Sequence, residues 1–288
     1  MKVLAFGEIL WDIIEGQPYI GGAPFNFAAH VVKNGGEASI LSSVGNDELG
    51  RKAIEAAAGL GVDASLMATH PKRPTGTVDV FLKDGQPDYT IHEGVAFDEI
   101  RMEESGSISG GPFDVFYFGS LAQLEQVSRE TLDRILGKFS FREVFYDINI
   151  RKSYYSPTII RSSLDRATIF KINDQEALLV SRLFYGAELP LEGFVRRIAQ
   201  DFSVPVVIVT AAEKGCYVFS GSGFHHVPAV PVTVADAVGA GDAFSAAFIT
   251  QLLSGSNVIT AARRANAVGG YVASQRGAVP AYPEGLVG

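Results

Sequence analysis

One cysteine, Cys216, stands among 288 residues, which excludes an internal disulfide and any zinc site built from cysteines. Its flanks, EKGCYVF, read as a strand with a buried, inert thiol. There is no HExxH. The adjacent His225 and His226 lie in a strand-like run, where neighbours point to opposite faces and cannot chelate one metal together. His30, His70 and His92 are scattered and read as surface or packing residues. No apolar run reaches spanning length, and the opening MKVLAFGEILWD meets Glu8 and Asp12 too soon for a signal peptide, so a cytoplasmic protein is expected. Positive charge is also scarce: 24 Lys and Arg against 32 Asp and Glu give a net charge of −8. Nucleic acid is therefore a poor partner, since its affinity comes from clustered cations. A small phosphate ligand stays compatible, because backbone N–H groups and a metal ion can hold it inside an acidic protein. No GxGxxG follows the first strand, which removes a nicotinamide-dependent dehydrogenase. GNDELGRK, residues 45–52, spaces two glycines like a phosphate loop. Arg51 and Lys52 stand where Lys and Ser/Thr are needed, and Asp47 and Glu48 fill the cradle, so it reads as a helix start.

What is present is a large apolar share, 47%, arranged in alternation. KVLAFG, ASILSSVG, FDVFYFG, REVFYDIN, ATIFKIN and VPVVIVT are short apolar runs of strand type. Between them lie helical patterns: PFNFAAHVVKNGG, opened by Pro24 and stopped by Gly35 and Gly36, then DELGRKAIEAAAGLG, SRETLDRILGKF and DQEALLVSRLF. This predicts an α/β fold of three layers, αβα, around a mostly parallel central sheet. One region departs from the alternation. TGTVDVFLKDGQPDYTIHEG has two strand-like runs around Lys83-Asp84-Gly85 and reads as a hairpin. With WDIIEGQPYI it forms a small separate β-sheet suited to cover a cleft. The expected division is 1–11, 23–74 and 98–288 for the main body, and 12–22 with 75–97 for the small sheet.

The chemistry gathers near VADAVGAGDAFSAAFITQLLSG, residues 234–255. A glycine-rich turn opening a helix leaves first-turn N–H groups unpaired and favours an anion there. Asp242 would repel that anion. Taken alone, it either complements the helix dipole or has a chemical task.

GGAPFNFAAHVVKNGGEASILSSVGNDELG near the start and DAVGAGDAF near the end, in this order, resemble the two signatures of the PfkB, or ribokinase-like, carbohydrate kinases. The likeness extends through GEILWDII, the hairpin, YDINIR at 146–151, KINDQEA at 171–177 and ANAVGGYVASQRGAVP at 266–280. It covers nearly the whole chain, and its N-terminal pattern is most similar to the fructokinase branch. The resemblance implies an ATP-dependent sugar kinase acting on a terminal hydroxyl, most simply of fructose, with Mg2+ and a β lid. It makes Asp242 the general base, and gives the N–H groups of Gly239, Ala240 and Gly241 the charge of the phosphoryl group in flight. Asp12, Gly21, Gly22 and Asn26 match sugar-binding positions, and two glycines let backbone approach the ligand and bend. Asn149 and Arg151 share one face if their strand continues to its end. Arg151 then touches substrate or phosphate, or else is a surface ion-pairing arginine. Asn173 and Glu176 match an N-x-x-E pattern acting through water and Mg2+. The same spacing is also a capping box. Thr210, Lys214 and Gly215 fall beside ATP, with Lys214 either in contact or merely solvated, and Asn266 lies on the helix flanking the adenine.

Two positions depart from the family pattern. Ala237 replaces a threonine beside Asp236 and the carbonyl of Val238, part of a K+ site in many members, which puts monovalent activation in doubt. Phe97 replaces a tryptophan common in the fructokinase-like branch. The rival acceptors are 2-keto-3-deoxygluconate, which needs a cationic reader such as Arg151, and ribose or a nucleoside. A catalytically silent sugar-binding regulator is the rival from another class. A homodimer through the lid is the expected assembly, since sheet edges need protection.

Overall fold

In a computed structural model describing residues 1–83, 86–102, 108 and 112–287, the chain begins with strands β1 (Lys2–Phe6), β2 (Leu10–Ile14) and β3 (Gln17–Gly21). Helix α1 (Ala23–Lys33), β4 (Glu37–Gly45), α2 (Glu48–Gly59) and β5 (Met67–His70) follow, then β6 (Gly76–Lys83) and β7 (Gln86–Ile91). The second half runs through β8 (Val115–Phe118), α3 (Gln126–Lys138), β9 (Glu143–Asp147), α4 (Pro157–Leu164), β10 (Ile169–Asn173), α5 (Asp174–Tyr185) and α6 (Leu191–Asp201). It closes with β11 (Val206–Thr210), β12 (Cys216–Ser220), β13 (Gly223–Val227), α7 (Ala240–Leu253) and α8 (Val258–Ala273).

Nine strands make one sheet in the order β13-β12-β11-β10-β9-β8-β1-β4-β5. Every pairing from β11 to β5 is parallel, and β12 and β13 add antiparallel at one edge. The sequence pattern explains why both faces are covered. On β1, Val3 and Ala5 enter one buried cluster while Leu4 and Phe6 enter another. On β8, Tyr117 enters the first, and Phe116 and Phe118 the second. Strands that are apolar on both sides have no solvent face, so helices must pack on each. The first cluster includes residues of α1, α2, α7 and α8, and the second residues of α3 to α6. Phe27 of α1 stacks on Tyr117 at 3.7 Å between ring centroids and fixes that helix against the sheet.

The remaining strands form a second sheet, ordered β3-β2-β6-β7. It is mixed: β2 with β3 and β6 with β7 are antiparallel, while β2 with β6 is parallel. The hairpin and WDIIEGQPYI are thus one sheet, as expected; Asp84 and Gly85 of its turn lie outside the described residues. GNDELG is a helix start. Asp47 caps α2 by accepting from Gly50 N at 2.8 Å, and also accepts from Thr75 N and Oγ1, tying the cap to the entrance of β6. Strand β5 and helices α4 and α6 were not anticipated. No helix among the described residues is long and apolar enough to cross a membrane.

Sheet order places the site. From β1 the chain adds strands on one side, to β4 and β5, and later on the other, to β8 and onward. The order therefore reverses between β1 and β8, and in such sheets the ligand crevice opens at the carboxyl ends of strands beside the reversal.

Candidate active site

Three segments leave the carboxyl ends of β1, β8 and β9 at this point, and α1 and α7 supply the rest. Asn26 and Asp242, separated by 216 positions, meet there: Asn26 Nδ2 donates to Asp242 Oδ2 at 2.9 Å. Asn26 lies in the first turns of α1 and is 4% exposed, and its Oδ1 is buried without a protein partner. Asp242 is in the first turn of α7, whose N-cap Gly239 has φ 78° and packs against Ala278 so closely that no Cβ fits. Burial and the neighbouring Asp147 carboxylate push Asp242 up to about 6, against the opposing pull of Asn26, Lys171 and Arg151.

Beneath the turn lies a buried ion pair. Lys171 Nζ of β10 donates to Asp147 Oδ2 of β9 at 2.8 Å, and the two residues are 7% and 3% exposed. Tyr117 OH donates to the same oxygen at 3.2 Å. Ser245 Oγ of α7 lies 2.9 Å from it and 3.0 Å from Gly241 O, so it donates to one or the other. Lys171 Nζ also stands 3.5 Å from where a Cβ on Gly241 would be, so its charge sits directly under the anion turn. None of Asp147, Lys171, Tyr117 and Ser245 was assigned from sequence. The available signal was a lysine inside the otherwise apolar strand IFKIN, which must find a counter-charge or not be buried.

Glycines make room on the acceptor side. A Cβ on Gly21 would lie 2.7 Å from Asp12 Oδ2, and one on Gly22, at φ 108°, 2.5 Å from Glu8 O. Burial raises the proton affinity of Asp12, and Arg151 opposes it. Arg151 does reach the cluster, but not by the route expected. Strand β9 ends at Asp147, and Asn149 has φ 42°, so Asn149 and Arg151 are not alternate residues of one strand and share no strand face. The left-handed residue turns the chain back so that the guanidinium charge acts on Glu8, Asp12 and Asp242 together.

Asn173 and Glu176 form the capping box of α5: Asn173 Oδ1 accepts from Glu176 N, and Glu176 Oε2 from Asn173 N, both at 2.8 Å. Glu176 Oε1 also accepts from Ile150 N at 2.7 Å and so anchors the turn that carries Arg151. Thr210 ends β11, Lys214 is exposed in the hairpin to β12, and Gly215, at φ 90°, packs on Pro228 and Ala229. Asn266 of α8 donates to Val227 O at 2.9 Å and Pro228 O at 3.1 Å, bracing the end of β13. Asp236 accepts from Val238 N at 3.0 Å and Gly277 N at 3.1 Å, joining two loops. Among the described residues, no three His, Cys, Asp or Glu converge as metal ligands.

Residues 6–284 match the pfkB family carbohydrate kinase. An uncharacterized sugar kinase of Pyrococcus horikoshii is 27% identical, with 96% of this chain and 91% of that one covered. Its crystal structure superposes with a TM-score of 0.80 over 97% of this chain and 94% of that one. Fructokinase-1 of Oryza sativa is 25% identical over 98% of this chain and 94% of its own length. Fructokinase with bound ATP from Xylella fastidiosa, 20% identical, shares the fold with a TM-score of 0.83 over 96% of this chain and 94% of that one.

The buried pair can be tested through stability alone. Lys171→Met leaves Asp147 charged and uncompensated, and is expected to cost about 3–5 kcal/mol. Adding Asp147→Asn should recover part of that loss in denaturant melts. A single variant within about 1 kcal/mol of the parent would contradict the pairing.

Proposed function

Since the chain belongs to the pfkB family of carbohydrate kinases, we propose that it transfers the γ-phosphoryl group of ATP to a terminal hydroxyl of a sugar, fructose first. The observation that carries the reading is the Asn26–Asp242 contact: it puts a carboxylate of raised proton affinity at the mouth of a helix N-terminus. In this reading Asp242 takes the hydroxyl proton as the oxygen attacks phosphorus. The N–H groups of Gly239 and Gly241, and that of Ala240 once it leaves its 3.3 Å bond to Ala237 O, meet the charge that gathers on the phosphoryl oxygens. Lys171, under Gly241, adds a fixed positive charge, and Asp147 holds it there. Mg2+ carried by the nucleotide's phosphates would supply further charge neutralisation, and Glu176, whose two oxygens accept N–H bonds from Ile150 and Asn173, would hold it through water alone and not directly.

Asp12, Gly21, Gly22, Asn26, Asn149 and Arg151 form the acceptor side of the proposal. Arg151 acts on three carboxyls, which supports a neutral sugar over an acid such as 2-keto-3-deoxygluconate. Asn173, Thr210, Lys214, Gly215 and Asn266 form the nucleotide side. Exposed Val230, Val232, Val234 and Val238 nearby offer the apolar surface that an adenine ring needs. A K+ ion at Asp236 and Val238 fits poorly, because both Asp236 oxygens already accept N–H bonds and Ala237 brings no hydroxyl. No step is routed through it. Ile14, Tyr19 and Phe81 expose apolar surface on the small sheet, which supports the homodimer through the lid.

Fructose, ribose, 2-keto-3-deoxygluconate and nucleosides compared in an ATP-consumption assay test the acceptor, with fructose expected to give the highest kcat/KM. Best turnover of the acid would overturn the fructose assignment, and no turnover of any sugar would overturn the kinase reading. Asp242→Asn should lower kcat at least about 100-fold while ATP affinity persists. Because the base must be ionised and burial raises its pKa to about 6, parent kcat should fall as pH drops through about 6, two units above an ordinary aspartate. A limb near 4 would assign the proton transfer elsewhere. As a lid, residues 12–20 and 75–93 should lose amide exchange when sugar binds, since closure excludes water that competes with the hydroxyl. Unchanged exchange there would leave the small sheet as an assembly surface only.

A further inference from the structure

One buried acid at the switch point has no task in the mechanism above. Glu8 follows β1 directly, is 4% exposed, and its backbone carbonyl presses on Gly22. The backbone N–H groups of Glu8 and Ala23, the latter at the start of α1, favour the charged form of its carboxyl, and that helix has no acidic residue in its own first turn. Glu8 thus stands beside the helix N-terminus, and one of its oxygens is left over. That oxygen, Oε2, is buried and has no protein partner. Among the described residues, the other unpartnered oxygen at this site is Asn26 Oδ1, one turn into the same helix, on the residue that holds Asp242. Two orphan buried oxygens beside one reacting centre are costly unless a ligand answers them.

Their chemistry narrows that ligand. Glu8 faces the charges of Arg151, in the turn after β9, and Asp242 of α7, and its own charge is felt by Tyr117 of β8. Burial, opposed by its backbone N–H bonds and Arg151 and reinforced by Asp242, pushes Glu8 up to about 7. Below that pH it carries a proton and offers a donor, whereas Asn26 Oδ1 offers only an acceptor. One group that gives and takes a hydrogen bond at once is a hydroxyl.

We propose that Glu8 is a sugar-reading residue: its carboxyl and the Asn26 amide oxygen receive one non-reacting hydroxyl of the acceptor between them. The inference rests on the kinase reading, and goes beyond it by requiring a second hydroxyl beside the one phosphorylated. A charged Glu8 accepts but cannot donate, and adds repulsion toward Asp242, so sugar binding weakens as pH rises through about 7. The acid limb set by Asp242 is separate, appears in kcat and lies lower.

The test measures sugar KM and ATP KM from pH 6 to 9 for the parent, Glu8→Gln and Glu8→Ala, with folding checked by melts and sugar affinity by calorimetry. In the parent, sugar KM should rise about tenfold between pH 6.5 and 8.5, while ATP KM moves less than twofold. Glu8→Ala should raise sugar KM about tenfold at pH 6.5. Glu8→Gln, a permanent neutral donor, should restore binding relative to the alanine variant and keep sugar KM flat across the range. A sugar KM in Glu8→Gln that climbs with pH like the parent's would overturn the proposal. So would equal losses of sugar and ATP affinity in a folded Glu8→Ala. If the parent phosphorylates no sugar, the kinase reading fails instead, and calorimetry with the folded variants still decides whether Glu8 governs sugar binding.

Discussion

Five carboxyls, those of Glu8, Asp12, Asp147, Glu176 and Asp242, are drawn toward the ends of β1, β9 and β10, with Lys171 and Arg151 opposing them. Keeping Asp242 able to ionise within that crowd is the constraint on which the rest depends. Burial alone favours its neutral form, and Asp147 adds to the effect. Asp147 is tolerable only because Lys171 neutralises it at 2.8 Å and Tyr117 and Ser245 share its oxygen. The pair sits under Gly241, so the same lysine that stabilises one carboxylate also strengthens the positive field at the helix terminus. Arg151 performs the corresponding service for Glu8, Asp12 and Asp242. The cations that make the fold tolerable are therefore those that poise the site.

Close approach of backbone is the second constraint, and it explains where glycine is indispensable. Gly21 yields to the Asp12 carboxylate and Gly22 to the Glu8 carbonyl, so the two strands leading into α1 can cross the mouth of the crevice. Gly239 yields to Ala278, and its positive φ turns the chain into α7. An alanine at Gly22 or Gly239 meets backbone and forces a separation of segments whose spacing sets the site, whereas one at Gly21 displaces the Asp12 carboxylate.

Much of this was legible in the sequence, and the failures have physical reasons. Apolar runs of strand length separated by amphipathic stretches specified the parallel sheet, because both faces of each strand are buried. DAVGAGDAF and PFNF located Asp242 and Asn26, because glycine turns and helix starts leave local marks. Glu8, Asp147 and Lys171 lie inside quoted stretches, GEILWDII, YDINIR and KINDQEA, yet were passed over. A buried charge is recognised by its partner, and these partners lie 24 to 98 positions apart, Asp147 with Lys171 and with Ser245. The strand read through Asn149 stopped at Asp147 because a left-handed residue followed, and asparagine tolerates that conformation without announcing it. The short α4 was missed although Ser156 caps it and Pro157 opens it, a start signal with only eight residues behind it.

His30 shows how far a residue read as packing can extend a site. It is fully buried on α1, one turn beyond Asn26; Nε2 donates to Ala278 O at 2.9 Å, and Nδ1 accepts from Tyr282 OH at 2.7 Å. That arrangement requires the neutral ring, and burial holds its pKa down to about 4. Ala278 is the residue against which Gly239 packs. The helix that carries Asn26 is therefore fastened, through His30 and Ala278, to the Gly239 turn that opens α7, while Asn26 itself is fastened to Asp242. Asp242 and the Gly239 turn are referenced to one helix by two independent contacts. Since reacting groups must be held to within fractions of an ångström, that double attachment lets elements from opposite ends of the chain act as one site.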